Sequence, residues 1–172
     1  MSFLGRLLGT QPDPRDALRP LWHRVVAIAR EPGWYAKGGV ADSVAGRFDA
    51  VTLVLALVML RMDGSDALRQ PSARLTELFV DDMDGQLRQS GVGDLVVGKR
   101  IGKMVSVLGG RIEALRGALA QADDTDLIAA LDRNVTFGDA PAPAAVAAEL
   151  RVLAATLAAT PDEDLLAGAI AR

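Results

Sequence analysis

Residues 75–104 read LTELFVDDMDGQLRQSGVGDLVVGKRIGKM, and this stretch leaves few folds open. Leu75, Leu78, Phe79, Met83 and Leu87 recur at spacings of three and four, the period of one face of an α-helix. Ile101, Met104, Val105, Leu108, Ile112, Leu115 and Leu119 repeat that period further on. Between the two runs stand Gly91, Gly93 and Gly98. Gly91 suits the left-handed residue that closes a helix, and Asp94 is placed to cap the next one. The spacing therefore predicts a helical hairpin whose first arm ends near Gln89. Its arms carry opposite charge: Glu77, Asp81, Asp82 and Asp84 on the first, Lys99, Arg100 and Lys103 on the second. Asp84 and Arg88 form an i,i+4 pair worth a few tenths of a kcal/mol. Gly98, Gly102 and Ser106 lie four apart, and small residues at that spacing permit close backbone approach.

The rest of the chain extends the helical pattern. Hydrophobic residues make up 50% of its 172 residues and aromatics only 4%, so the core must be Leu, Val, Ile and Ala. Asp13-Pro14 reads as a helix start, Pro20 as the start of a fresh helix, and Glu31-Pro32-Gly33 as its end. Trp34-Tyr35 opens a loop in which the two aromatics either plug the core or form an exposed recognition pair. Asp42 or Ser43 caps a helix from about Val44 to Met62. Its run from Ala50 to Leu60 is too short to cross a bilayer and reads as a buried central helix. Further helices end near Val135 and run from Pro143 to about Ala159, and Thr160-Pro161-Asp162-Glu163 resembles a capping box ahead of a terminal helix. No convincing strand-period segment or repeat occurs. The expected fold is all-α, a single helical domain of about seven helices with the glycine-cornered hairpin. Residues 1–12 are expected to be a flexible segment, 13–138 the main helical unit, and 139–172 a C-terminal helical extension packed on it. Phe3, Leu4, Leu7 and Leu8 could line one side of two helical turns and touch a membrane surface or a partner.

Several chemistries are excluded or weakened. Cysteine is absent, which removes disulfides, thiol catalysis and cysteine-ligated metals. A single His23 removes any His-pair metal site. With a net charge of −3, the chain gives no support to direct nucleic-acid binding. Gly93, Gly98 and Lys99 match part of a phosphate-binding loop, but Arg100 stands where Ser or Thr is needed and a helix precedes it instead of a strand. Asp81-Asp82-x-Asp84 resembles the aspartate-rich motif of isoprenoid synthases. That chemistry needs a second facing acidic cluster, and none is evident. No catalytic residue, metal or cofactor is expected.

The hairpin segment LFVDDMDGQLRQSGVGDLVVGKRIGKM resembles the signature of the ubiquinol–cytochrome c chaperone family. Trp34-Tyr35, Gly39-Val40-Ala41-Asp42-Ser43, Gly46-Arg47-Phe48, Gly110-Arg111 and Leu131-Asp132-Arg133-Asn134 agree with it. The resemblance runs roughly from Leu21 to Asn134. It implies an assembly factor for the bc1 complex, not an enzyme, acting in the cytoplasm at the inner membrane. Its client would be newly made cytochrome b or another bc1 subunit, with a small partner chaperone and the ribosome exit region as further contacts. The client-binding residues are then expected to be Asp81, Asp82, Asp84, Arg88, Asp94, Lys99, Arg100 and Lys103. Structural roles fall to Trp34, Tyr35, Arg47, Phe48, Phe79, Gly91, Gly93, Gly98, Arg111 and Asn134. A generic helical adaptor, or a small Mg-dependent enzyme built on Asp81, Asp82 and Asp84, remains an alternative.

Overall fold

The computed structural model of the chain describes residues 13–89, 91 and 93–172, with the backbone alone for 94 and 95. Residues 1–12, and with them the apolar pattern at Phe3 to Leu8, lie outside the described residues. Six helices of ten or more residues dominate: α1 (Arg19–Ala29), α3 (Val44–Asp63), α4 (Arg69–Gln89), α5 (Asp94–Leu119), α6 (Thr125–Asn134) and α7 (Pro143–Ala159). Two five-residue helices, α2 (Pro32–Ala36) and α8 (Asp162–Leu166), complete the α set, and single 3-10 turns precede α1 and α4. No strand occurs among the described residues; Val40 and Phe137 form an isolated antiparallel bridge. The all-α single domain follows from the composition, because aliphatic helices can pack without aromatics to fill between them.

Helix α3 is the axle. Ser43 caps it, its hydroxyl accepting from the Gly46 N–H at 3.2 Å. Every residue from Thr52 to Val58 is buried, as the nearly continuous apolar run requires. Gly46 is the close-approach point: a Cβ there would sit 2.0 Å from the Ala41 carbonyl oxygen. Around this axle pack α1, α4, α5 and α7, with α6 wedged between α5 and α7. Phe79 of α4 meets Trp22 of α1 edge-on at 6.1 Å and Phe48 of α3 at 6.5 Å, so three of the few aromatics are gathered in one place. Helix α7 contributes Val146, Ala147, Leu150, Leu153 and Leu157 to the same core. The chain end is tied down as well. Arg172 bridges Glu31 at 2.5 Å and Glu149 at 2.7 Å, with its guanidinium over the Trp34 ring.

The structure corrects several local expectations. Trp34 and Tyr35 sit in the short helix α2, not in a loop; the Trp34 indole N–H donates to the Ile28 carbonyl and the Tyr35 hydroxyl to that of Ala29, both at 2.8 Å. Pro32 at the first turn starts this helix because its fixed φ is already helical. Asp13-Pro14 opens a turn, and a 3-10 segment begins only at Asp16. Pro161, not Thr160, holds the position before α8, and the Thr160 hydroxyl donates back to the Thr156 carbonyl at 2.8 Å, so no capping box forms.

Candidate functional site

The two arms of the hairpin are α4 and α5. Gly91 adopts φ +79 at the corner, a conformation that only glycine enters without a steric penalty. Gly93 caps α5 with extended dihedrals, and Asp94 is its first helical residue, so the expected Asp94 cap is displaced by one position. The Asp94 side chain lies outside the described residues. No gap opens in the helix assignment at Gly109-Gly110.

The charges of the two arms do not bridge one another among the described residues. Asp81 accepts from Arg15, which also holds Asp13 at 2.7 Å. That guanidinium pulls the Asp13 carboxyl down to about 2. Asp84 pairs with Arg88 at 2.6 Å within α4. Asp82 accepts a hydrogen bond from the Gln86 amide at 3.1 Å, but no cation among the described residues pairs with it. On α5, Lys99, Arg100 and Lys103 are exposed, and no carboxylate among the described residues pairs with them. Lys99 and Lys103 are one turn apart and share a side of the helix.

The small residues of α5 also stand open. A Cβ built at Gly98, Gly102, Gly109 or Gly110 meets nothing within 4 Å, so the close backbone approach expected from their spacing is not made among the described residues. Of the α5 stripe, Leu108 and Leu115 are buried, Ile101, Met104, Ile112 and Leu119 pack half-buried against the core, and Val105 is 37% exposed.

A charge cluster of a different kind sits at the other end of α5. Arg111 is buried and donates to the Asp49 carboxylate at 2.5 Å, to the Thr52 hydroxyl and to the Asn134 carbonyl. The second Asp49 oxygen accepts from the Thr136 N–H at 2.7 Å. The Asn134 amide donates to the Ala130 carbonyl at 2.8 Å. Phe48 lies under the guanidinium, 5.8 Å from centroid to Cζ. This node ties α3, α5 and the end of α6 together. Arg111, Asn134 and Phe48 thus sit together at one node.

Where the hairpin meets the body, the helices leave an open groove of about 290 Å³. Val26 of α1, Arg30 just past its end and Tyr35 of α2 form one wall. Val44, Arg47, Phe48 and Val51 come from α3, Asp82, Met83, Gln86 and Leu87 from α4, and Met104 from α5. Val44 is 89% exposed, an apolar residue left uncovered at the first position of its helix. Arg47 is held by Asp42 at 2.7 Å, which lowers the pKa of that carboxyl. Two of the chain's five methionines line the groove, and the pliable thioether suits a surface that must accept varied apolar shapes. Of the expected client-binding residues only Asp82 lines this groove. Tyr35, Arg47 and Phe48, read from sequence as structural, line it too. The sequence does not single out Val26, Arg30, Val44, Val51, Met83, Gln86, Leu87 and Met104 as groove-lining residues, because several helices contribute them and no single spacing links them. Val44 was the one available signal, since an apolar residue directly after an N-cap serine has little of its own helix to cover it.

Among the described residues no three His, Asp or Glu side chains converge as a metal site. Asp81 and Asp84 each face an arginine instead. His23 is exposed on α1. No described helix is long and apolar enough to cross a membrane.

The family model described as ubiquinol–cytochrome C chaperone matches residues 36–171. It takes in the C-terminal segment beyond Asn134 that the sequence resemblance left out. Among solved structures, the Cbp3 homolog from Brucella abortus is similar to this chain with a TM-score of 0.80 and 29% identity, covering 99% of this chain and 96% of its own. No curated protein matches the chain.

Proposed function

Because the chain belongs to the ubiquinol–cytochrome c chaperone family, we propose that its groove holds the end of an apolar helix from a newly made bc1 subunit, cytochrome b foremost, during assembly. The observation that carries this reading is the open, methionine-bearing groove at the base of the hairpin. Laying an amphipathic helix in an apolar groove is a recurrent mode of recognition. The cytoplasmic ends of membrane-spanning helices are rich in Lys and Arg. Such an end offers an apolar turn followed by a cation, and the groove offers apolar walls with the Asp82 carboxylate on one side. Lys99, Arg100 and Lys103 project from the neighbouring arm and would meet acidic groups of the same client or of a small partner chaperone. Contacts of this exposed kind favour rapid encounter and specificity over affinity, which fits a factor that must release its client. The chain would act on the cytoplasmic side of the inner membrane, peripheral to it.

Two variants test the assignment in a host that lacks the chromosomal copy. Val44→Asp places a charge in the groove at a site too exposed to matter for folding. Lys99→Glu/Lys103→Glu reverses the α5 patch. Each variant should keep its melting temperature, with stability changed by no more than about 0.5 kcal/mol. Val44→Asp should lower assembled bc1 complex and cytochrome b haem absorbance to near the deletion level, and the lysine pair should lower both partially. Normal bc1 assembly with Val44→Asp would remove the groove as the client site.

A further inference from the structure

We infer that the groove reads the direction of its client helix. It takes the C-terminal end, with Arg30 donating to the carbonyls of the last turn and Asp82 receiving a Lys or Arg that follows them. The inference rests on the client reading of the groove given above and adds which end enters.

The last carbonyls of a helix find no N–H partner within it. This chain meets that need with arginines sent from neighbouring helices. Arg151 of α7 donates to the Leu119 carbonyl at the end of α5, and to those of Gln121 and Asp123 just beyond, the latter two at 3.1 and 2.7 Å. Arg111 of α5 donates to the carbonyl of Asn134, the last residue of α6. Arg61 of α3 donates to the Leu157 and Thr160 carbonyls at the end of α7, at 3.0 and 2.9 Å. Among the described residues, three helix ends are closed this way. A guanidinium suits the task, because it offers several donors and carries the charge that a helix C-terminus favours.

Arg30 brings the same chemistry to the groove and has no such duty within the chain. It is exposed, it lines the groove, and no hydrogen bond or carboxylate among the described residues holds its side chain. Its own helix does not need it. At the end of α1 the Ile28 carbonyl accepts from the Trp34 indole, that of Ala29 from the Tyr35 hydroxyl, and that of Ala27 from the Arg30 backbone N–H. Arg47, the other groove cation, is engaged with Asp42. On α4, Asp82 accepts from the Gln86 amide and has no cation among the described residues. An unengaged guanidinium and an uncompensated carboxylate therefore share one groove with the apolar side chains of Val44, Phe48, Val51 and Met83. A helix C-terminus matches both charges: its free carbonyls are partly negative, and its last turn favours Lys and Arg. A helix N-terminus presents N–H groups and partial positive charge to Arg30 instead. The client span is then one whose chain runs toward the cytoplasm and ends there.

Two soluble helical peptides of identical composition test the direction. Both are acetylated, amidated and labelled with one dye at the far end. The first carries an apolar block and then lysines at its C-terminal end. The second carries the same block in reverse order at its N-terminal end, and neither has a carboxylate there. Fluorescence anisotropy with the full chain gives a Kd for each. The first peptide should bind about tenfold tighter, the scale of a hydrogen bond from a charged donor. Arg30→Met keeps the apolar stem and should weaken that peptide by about the same factor, with the melting temperature unchanged. The sign decides, because an arginine that merely stands nearby repels the peptide lysines, and its removal would tighten binding or leave it alone. Equal binding of the two peptides, preference for the second, or undiminished binding of the first by Arg30→Met overturns the inference and leaves the client groove standing. Binding of neither peptide, or binding that Val44→Asp does not weaken, removes the client groove itself and the direction with it.

Discussion

One helix, α5, lives in two environments. Its C-terminal half presents Leu108, Arg111, Leu115 and Ala118 to the core, each no more than 4% exposed. Its N-terminal half presents Gly98, Lys99, Arg100, Gly102 and Lys103 to solvent. The same residue types thus behave in opposite ways along a single rod. The buried arginine is wired to two other segments of the chain, α3 and the end of α6, and the exposed cations are wired to none that the structure describes. The N-terminal half still turns Val97, Ile101 and Met104 inward, and the lesson is that its outer face is left free to carry features that do nothing for folding. The break should be largest at the wired end. Arg111→Met leaves the Asp49 carboxylate buried without its cation, and an uncompensated buried charge costs about 3–5 kcal/mol. For a chain of this size that is a fall of roughly 10 °C in Tm, measurable by circular dichroism. The double variant Asp49→Leu/Arg111→Met removes both charges and should recover a good part of that loss. If Arg111→Met melts with the wild type, the node does not hold the two halves apart in stability as argued.

The glycines sharpen the same contrast, because the expected sign reverses between regions. Gly46→Ala would drive a Cβ to 2.0 Å from the Ala41 carbonyl. The forced backbone shift should cost about 1–3 kcal/mol. Gly98→Ala and Gly102→Ala meet nothing within 4 Å, and replacing an exposed interior helix glycine should stabilise by up to about 1 kcal/mol each. Urea unfolding midpoints read both. Stabilised α5 variants that also bind client less well would mean that these glycines are retained for the close approach of something outside the chain. If they bind as before, the open half owes its glycines to nothing at this interface.

How much of this is legible in the sequence follows from where each signal resides. The hairpin, the Gly91 corner, the Ser43 cap and the buried α3 run are readable because each depends on residues within a few positions of one another. Trp34-Tyr35 reads as a loop because Pro32-Gly33 serves equally well as a stop and as a first helical turn. The capping box at Thr160 fails because the Thr160 hydroxyl bonds back to the Thr156 carbonyl, and the neighbouring Asp162 is held by Arg61 and Ser65 about a hundred residues upstream, which no local rule sees. The Arg111–Asp49 tie and the groove are non-local in the same sense. Asp49 sits on α3 inside an amphipathic-looking turn, and nothing in the spacing points to an arginine on α5. The expectation that small residues on α5 meet a neighbouring backbone fails for the opposite reason: the pattern is there, but the neighbour it implies is not among the described residues.

The smallest expected effect concerns acid stability, and it too separates the regions. Asp162 accepts from Arg61 and from the Ser65 hydroxyl, joining α8 to the end of α3, and these bonds hold its carboxyl below the ordinary 3.8. A group whose folded pKa is depressed binds its proton more readily in the unfolded chain. Its stabilising contribution is therefore complete above the unfolded pKa and disappears as pH falls through the folded one. Asp162→Asn should accordingly be less stable than the wild type at neutral pH. The gap should narrow from about pH 5 downward and close in strong acid. The aspartate is part-exposed, so added salt should shrink the gap as well. The matching change in the open region, Asp82→Asn, removes a carboxylate that no cation among the described residues pairs with, and should change stability at neutral pH by no more than about 0.5 kcal/mol. A loss with Asp82→Asn as large as that with Asp162→Asn would mean that the two regions do not differ in how their carboxylates are held.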